Sequence, residues 1–529
     1  MTRHDNGDLG LWFPWLREQL SSRLSSRLSS TDQFTHPWTE DLASRQAHLT
    51  KGQTNGFGCG ATSSNNTRHQ WLPMPDQRPQ GPTRTNRKSW ADRQLTHTHS
   101  LADQDQTTAT TQSGLIRGSR LSWERAQRIA DALPAEDPNR TAMRITPRTM
   151  LCGIAWRTQM NVAGDRFEEL RELCAAAGDK VSLAIAMAGL VLDRTLHGRV
   201  REASQLASET WILVESIGDA TLTVGLPVPM LYTKAHSGDW CDVLRWSQRL
   251  IDMADGDPSK GNFMVGCPLA LAVAARAAAR YCLGRPGWRD DLRHGLAMSR
   301  STDAMSYATV VAWVYGAGIS LGVLAADDRA LCEIEDALQV AERSGDDVAL
   351  SNARMTLGVA LAHRQETADR DRGQQVLAKV SQVLRRPGYN LCDLPIVEVY
   401  LARESARRGE SDVAIPLMRA AVDQMVREGQ LLGWGPPATG VLVETLLERG
   451  TENDRAEAEA AIERLAAAPA DDGLVIRDIW LLRLRALLAR ARGDDAAYRD
   501  YRDRYRAMAE SLGFEGHTAM AEALIDGGE

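Results

Sequence analysis

The sequence predicts an all-α fold, an α-solenoid of about eight helical hairpins that resembles a tetratricopeptide superhelix. Composition is the first reason: aromatic residues make up only 5% of the 529 residues, while Ala, Leu and Arg are abundant. The second reason is a regular series of helix breaks after residue 121. The region before residue 121 lacks this periodicity and is predicted separately below.

The helix breaks recur with spacings between 38 and 46 residues, and they fall in two interleaved series. The breaks expected inside hairpins are Gly198, Gly238, Gly284, a charged turn near Asp327, another near Asp371, Gly409, Gly450 and Gly493. Those expected between hairpins are Gly218, Gly256, Gly345, Gly388, Gly429 and Gly513. Two series with one shared period are typical of stacked helix pairs.

The stretch AERSGDDVALSNARMTLGVALAHR (341–364) shows how one helix ends and the next begins. Glycine enters the left-handed backbone region without a Cβ penalty, so Gly345 is expected to end the first helix. Asp346 or Asp347 can then cap the free amides of the second helix and favour its positive end.

The best tetratricopeptide-like match is LARESARRGESDVAIPLMRAAV (401–422). Leu401 and Ala402 on its first helix, with Ala414 and Ala421 on its second, have the spacing that the motif requires. Small side chains at these positions allow two helices to approach closely.

Two tryptophans are predicted to lie in the core. Trp240 and Trp288 each open the second helix of a hairpin, where a large ring can seal the joint between repeats.

Residues 1–120 form a region of different composition. They are rich in Ser, Thr, Gln, Asn and Gly and lack sustained apolar periodicity, so we expect this segment to be disordered. An alternative is that the segment is foreign to the rest of the chain, for example through a misplaced start. Residues 121–529 are predicted to be the tetratricopeptide-like solenoid.

The net charge and the cysteines indicate which partners and which cellular compartment to expect. A formal net charge of −7 gives no electrostatic reason to expect nucleic acid as a direct partner. The eight cysteines stand singly, which favours buried thiols in a cytoplasmic protein over disulfides. The uncharged segment 307–326 is long enough to span a membrane, but a buried helix with a glycine-rich bend fits the repeat register better.

No catalytic, cofactor-binding or metal-binding motif is found. A P-loop is absent, and no zinc-protease or nucleophile-elbow pattern occurs. The His-x-His of THTH (96–99) lies in a Thr-rich segment where such residues are usually solvated. The remaining histidines are isolated and are expected at surfaces or turns; they are His197, His236, His294, His363 and His517. The sequence therefore predicts no enzyme activity and no cofactor.

One short segment is a candidate for binding a partner. In LLGWGPPATGVLVETLL (431–447), Trp434 lies between two glycines and is followed by Pro436 and Pro437. The prolines stiffen the backbone, so the tryptophan ring would be held on a rigid loop ahead of a helix. The alternative is an irregular junction between repeats.

Several long stretches resemble the C-terminal helical region of large bacterial signalling proteins. They include CLGRPGWRDDLRHGLAM, ATGVLVETLLERG, AAAPADDGLVIRDIWLLRLRALLARARGDDAAYRDYRDRYRAM and SLGFEGH, and the resemblance extends over residues 121–529. Proteins of that family join a class III adenylate/guanylate cyclase domain to a P-loop ATPase module and a tetratricopeptide-like array. Neither the metal-binding aspartates of the cyclase nor the P-loop lysine has a counterpart here.

The resemblance implies a non-catalytic scaffold or sensor that binds a protein or peptide partner on a concave face, such as a cyclase or ATPase signalling component. An alternative is a ligand-sensing regulatory domain like that of ATPase-linked transcriptional regulators. A third is a truncated relic of the cyclase family. In each case we expect a cytoplasmic location and no membrane span.

Overall fold

The computed structural model describes residues 121–158, 164–262, 265–386 and 390–526. Within these ranges the chain forms helices and no strand, and neighbouring helices pack in pairs. The predicted all-α solenoid is confirmed. The segment 1–120, for which disorder is predicted, lies outside the described residues, as does Gly388.

Residues 121–131 are helical, and a numbered series of helices follows. The helices are α1 Arg140–Thr158, α2 Gly164–Ala177, α3 Lys180–Leu196, α4 Val200–Ile217, α5 Ala220–Gly225, α6 Val228–Ser237, α7 Trp240–Ala254, α8 Pro268–Cys282, α9 Trp288–Ser299, α10 Ala304–Val311, α11 Ala317–Ser320, α12 Asp328–Ser344, α13 Asp347–Ala362, α14 Thr367–Leu384, α15 Leu394–Arg407, α16 Ser411–Glu428, α17 Gly435–Arg449, α18 Glu452–Ala466, α19 Val475–Arg492, α20 Asp495–Leu512 and α21 Glu515–Asp526.

The predicted turns fall where the glycines indicated, with one correction. The hairpins α3–α4, α6–α7, α8–α9, α15–α16, α17–α18 and α19–α20 each turn at a glycine with positive φ. Asp327 is the N-cap of α12, as the predicted charged turn requires. The turn placed near Asp371 was wrong, because Asp371 lies inside α14 and the turn covers residues 363–366. The Asp371 carboxylate is half exposed, so this charged residue lies on a solvated face of α14 and not at a turn.

The break at Gly345 follows the predicted chemistry. Gly345 ends α12 in the left-handed conformation, with φ of 67°. The Asp346 carboxylate accepts hydrogen bonds from the backbone N–H groups of Val348 and Ala349, each at 2.9 Å. These bonds satisfy two amides that have no partner within α13. Asp346 is therefore the capping residue.

Most residues of the uncharged segment 307–326 are buried in the array. It contains the C-terminal half of α10, a π-helical turn at Ala312–Gly316, and α11. The π-turn interrupts the α-helical hydrogen-bond pattern beside Gly316, a feature that commonly bends helices. Across the described ranges, every helix is too short or too polar to traverse a lipid bilayer.

The first helices of the hairpins form an inner layer, and the second helices form an outer layer. In α8, a first helix, 13 of 15 residues are buried, and most of them are alanine. In α20, a second helix, only Tyr505 and Ala509 are buried. Small residues let the inner helices pack closely on several sides. The outer helices need only one apolar stripe.

The array closes on itself, because turns in its first half contact junctions in its second half. The Leu391 N–H donates to the Leu196 carbonyl at 2.7 Å, and the His517 N–H donates to the Gly322 carbonyl at 2.8 Å. Gly284 lies against Val475 in the same way. The residues of each pair are about 190 to 195 positions apart in the sequence, close to five repeats. Turns of the early repeats are therefore brought against junctions of the late repeats.

The predicted core positions of Trp240 and Trp288 are confirmed, with 3% and 6% of each residue exposed. Both rings lie at the closure. The Trp240 indole N–H points to the Leu432 carbonyl at 3.4 Å, and Trp288 packs edge-on against Phe514. They thus seal contacts between distant repeats as well as the joint within their own hairpin.

Candidate functional site

A group of six polar and aromatic side chains converges where the α6–α7 turn meets the junctions before α15 and α17. We call this group the closure cluster; it consists of Tyr232, His236, Asn390, Cys392, Asp393 and Trp434. One helical turn of α6 places Tyr232 and His236 on the same face, since side chains four residues apart lie one above the other. The other four side chains come from the two junctions.

Asp393 is the centre of the hydrogen-bonding network. Its Oδ1 accepts from His236 Nε2 at 2.8 Å and from the Trp434 indole N–H at 3.0 Å. Its Oδ2 accepts from the Tyr232 hydroxyl at 2.9 Å and from the Asn390 amide. The four hydrogen-bond donors replace the water molecules that this carboxylate loses when it is buried.

The imidazole of His236 is held in a fixed orientation. Its Nδ1–H donates to the Tyr232 carbonyl at 2.9 Å, so Nε2 faces Asp393. Cys392 completes the group, with its thiol 2.8 Å from Asn390 Oδ1 and 3.4 Å from the Tyr232 hydroxyl. Every member therefore has a defined partner.

Burial and charge act in opposite directions on this cluster. Burial alone would lower the pKa of His236, but its acidic neighbours Cys392 and Asp393 outweigh burial and hold that pKa well above the usual value. Burial likewise opposes ionisation of Asp393, yet His236 and the hydrogen-bond donors lower its pKa. Burial raises the pKa of the Cys392 thiol. The shifts of His236 and Asp393 thus both favour the charged forms of this pair.

The chemistry open to the closure cluster follows from its burial. Cys392 is 1% exposed and its raised pKa keeps it from being a thiolate, so it is poorly suited to nucleophilic attack. His236 Nε2, Cys392 Sγ and an Asp393 oxygen lie within 4.8 Å of one another, which is a spacing that a single metal ion can bridge. The geometry is compatible with metal ligation and with structural closure.

The three residues predicted to bind a partner lie at or beside the closure cluster. Trp434 is partly buried and directs its indole N–H inward to Asp393, while Pro436 and Pro437 are buried in the first turn of α17. The buried prolines could therefore affect partner binding only by fixing the backbone next to Trp434. Partner binding by Trp434 stays a prediction, since the residue is only partly buried.

The expectation that isolated histidines lie at surfaces was wrong for His236 and His517, which are 5% and 0% exposed. Both lie close to turns, as predicted, but closure of the array buries those turns. His236 and Asp393 are 157 residues apart in the chain, so no local motif could reveal their contact. The Trp434 segment was the only part of the cluster that the sequence indicated.

A second group of charged side chains lies on the inner layer of the later repeats. We call it the arginine face; it consists of His363, Arg403, Arg407, Glu444 and Arg483. Arg403 and Arg407 lie one helical turn apart on α15, beside Glu444 of α17. Glu444 pairs with Arg483 of α19. Within the described ranges the Arg403 guanidinium makes no hydrogen bond or ion pair, and it is partly exposed.

Arg403 and Arg407 act on His363 and Glu444, while Glu448 also lies close to both arginines. Burial and the charges of Arg403 and Arg407 together lower the pKa of His363 to about 4. Burial alone would raise the pKa of Glu444, but Arg483 and Arg403 outweigh it and lower that pKa. The Arg403 guanidinium, which is partly exposed, can donate hydrogen bonds to an anionic group of a ligand.

Comparisons with protein-family models and with curated proteins find no match to this chain.

Proposed function

We propose that this protein is a non-catalytic helical-repeat scaffold or sensor of a bacterial cyclase- or ATPase-type signalling system. It binds an acidic segment of a protein or peptide partner on the arginine face. The assignment to that signalling system rests on the resemblance of residues 121–529 to cyclase-associated helical arrays. The choice of a binding role over turnover rests on the missing cyclase aspartates and P-loop lysine in the sequence.

The observation that supports the binding site is the unpaired guanidinium of Arg403. Most other arginines of the late repeats already have carboxylate partners, including Arg407 with Glu404 and Arg449 with Asp454. A planar guanidinium can bind a carboxylate through two parallel hydrogen bonds. An extended surface built from adjacent repeats would supply further contacts for a peptide.

Quantitative affinity purification from the native host tests this proposal. We expect the full-length chain to enrich a protein that carries a class III cyclase or P-loop ATPase domain. Arg403→Glu should reduce its recovery at least tenfold, because the new carboxylate repels an acidic segment. Arg245→Glu is the matched control, since Arg245 is 69% exposed on the outer helix α7.

Two results would contradict the proposal: enrichment of no such protein, or equal recovery with the Arg403 and Arg245 variants. Point substitutions are preferable to deletion of residues 431–440 for this test. That segment contributes Leu431 and Leu432 to the core, so its removal would disturb the fold as well as the surface.

A further inference from the structure

We propose that His236, Cys392 and Asp393 bind one zinc ion, which joins the early and late repeats at the closure. The three residues offer one nitrogen, one sulfur and one oxygen donor, all within 4.8 Å of one another. A thiolate with an imidazole and a carboxylate suits Zn²⁺, while Mg²⁺ and Ca²⁺ prefer oxygen donors alone.

The hydrogen bonds around the three ligands leave the donor atoms directed at one another. His236 uses Nδ1 for the Tyr232 carbonyl, which leaves Nε2 for the metal. Asp393 uses Oδ2 for Tyr232 and Asn390. Its Oδ1 keeps the Trp434 indole N–H as an outer hydrogen bond and directs its other lone pair toward His236 Nε2. Outer contacts of this kind fix the tautomer and orientation of metal ligands in proteins. A site of this composition has its outer hydrogen bonds already in place.

The distances are compatible with tetrahedral coordination after a small adjustment. Zinc bonds of about 2.0 to 2.3 Å place neighbouring donor atoms roughly 3.3 to 3.7 Å apart. His236 Nε2 and Asp393 Oδ1 are 2.8 Å apart, so they must separate by about 0.5 Å when the proton between them leaves. Asn390 Oδ1 accepts from the Cys392 thiol, and it becomes available as a fourth ligand once that thiol is deprotonated.

Charge is conserved in the exchange. Binding releases one proton from the His236 imidazolium and one from the Cys392 thiol. The metal-free cluster contains one cation and one anion. The zinc form contains a dication with one thiolate and one carboxylate, so both forms are neutral overall. Deep burial of His236, Cys392 and Asp393 makes the ion structural, because no substrate can reach it.

Metal titration of the chelator-washed, full-length chain tests the proposal. We expect about one zinc per chain to survive desalting. Cobalt substitution should give the charge-transfer band of a cobalt–thiolate bond. Cys392→Ser should abolish the band and lower bound zinc at least tenfold while far-ultraviolet circular dichroism remains helical. Cys332→Ser is the control and should change neither, because Cys332 is exposed and outside the cluster.

X-ray absorption at the zinc edge of the unmodified protein provides a test that does not depend on how the variants fold. One sulfur and two or three nitrogen or oxygen neighbours would support the site. The proposal is overturned if no cobalt–thiolate band forms, if the band persists in Cys392→Ser, or if the edge spectrum shows no sulfur. Those outcomes would establish the cluster as a metal-free ion pair, and they would leave partner binding at Arg403 unaffected.

Discussion

His236 and Asp393 form a buried ion pair of 2.8 Å, although 157 residues of chain separate them. One belongs to the second complete hairpin and the other to the junction before α15. The pair therefore reports directly on closure of the array. Both side chains are less than a tenth exposed, so each depends on the other to offset the cost of leaving water.

Removing one partner of this pair leaves the other charge buried and unpaired. The stability lost in the two single variants should therefore add up to more than the loss in the double variant. In the presence of a chelator, Asp393→Asn or His236→Gln alone should lower the free energy of unfolding by about 3 to 5 kcal/mol. The double variant should lose less than the sum of the two, since neither charge is then left unpaired. Urea unfolding of all four proteins measures the coupling. Strict additivity would show that the two side chains do not interact.

Two glycine variants can separate the stability cost of a close contact at the closure from the cost of backbone strain. Gly238 has φ of 80°, and a Cβ there would lie 2.3 Å from the Leu432 Cβ. Gly493 has φ of 72° in an equivalent hairpin turn, with nothing within 4 Å of a Cβ. Gly493→Ala should cost about 1 kcal/mol for the left-handed backbone. Gly238→Ala should cost about 1 to 3 kcal/mol more, because Leu432 must move. Equal losses of thermal stability would argue against closure at this turn.

Acidification should weaken the docking of α21 through His517. Burial and the charge of Arg483 lower the pKa of His517 to about 3, while an unfolded histidine titrates near 6.5. The unfolded chain therefore binds more protons between these values. This contribution to stability is present above pH 6.5 and falls by about 1 kcal/mol per pH unit below it. His517→Gln should reduce that slope in urea titrations from pH 6.5 to 4.5. Parallel curves for the two proteins would contradict the assignment.

The capping box at the start of α18 should contribute measurably to stability. The Thr451 side chain accepts from the Asp454 N–H, and the Asp454 carboxylate accepts from the Thr451 N–H. Thr451→Ala should lower the free energy of unfolding by about 1 kcal/mol. Glu410 is the matched control, because it precedes α16 without a side-chain capping bond. Glu410→Ala should change stability by less than about 0.5 kcal/mol.

The sequence by itself determined the local architecture. Glycines at fixed intervals end helices because they alone enter the left-handed region without strain, and Asp346 caps α13 as its position predicts. Small residues such as Ala402 and Ala414 specify how a helix packs on its chain neighbour. All of these interactions are made within one repeat or between adjacent repeats, so a periodic pattern is sufficient to predict them.

Tertiary structure alone decided which turns are buried. Each repeat rotates slightly on its neighbour, and only the sum of these rotations over four to five repeats brings Gly238 against Leu432 and His236 beside Asp393. That sum depends on small differences in packing at every interface, which residue spacing does not encode. The closure cluster could not be predicted for this reason, although Asn390, Cys392, Asp393 and Trp434 lie at junctions between repeats and His236 lies next to a predicted turn.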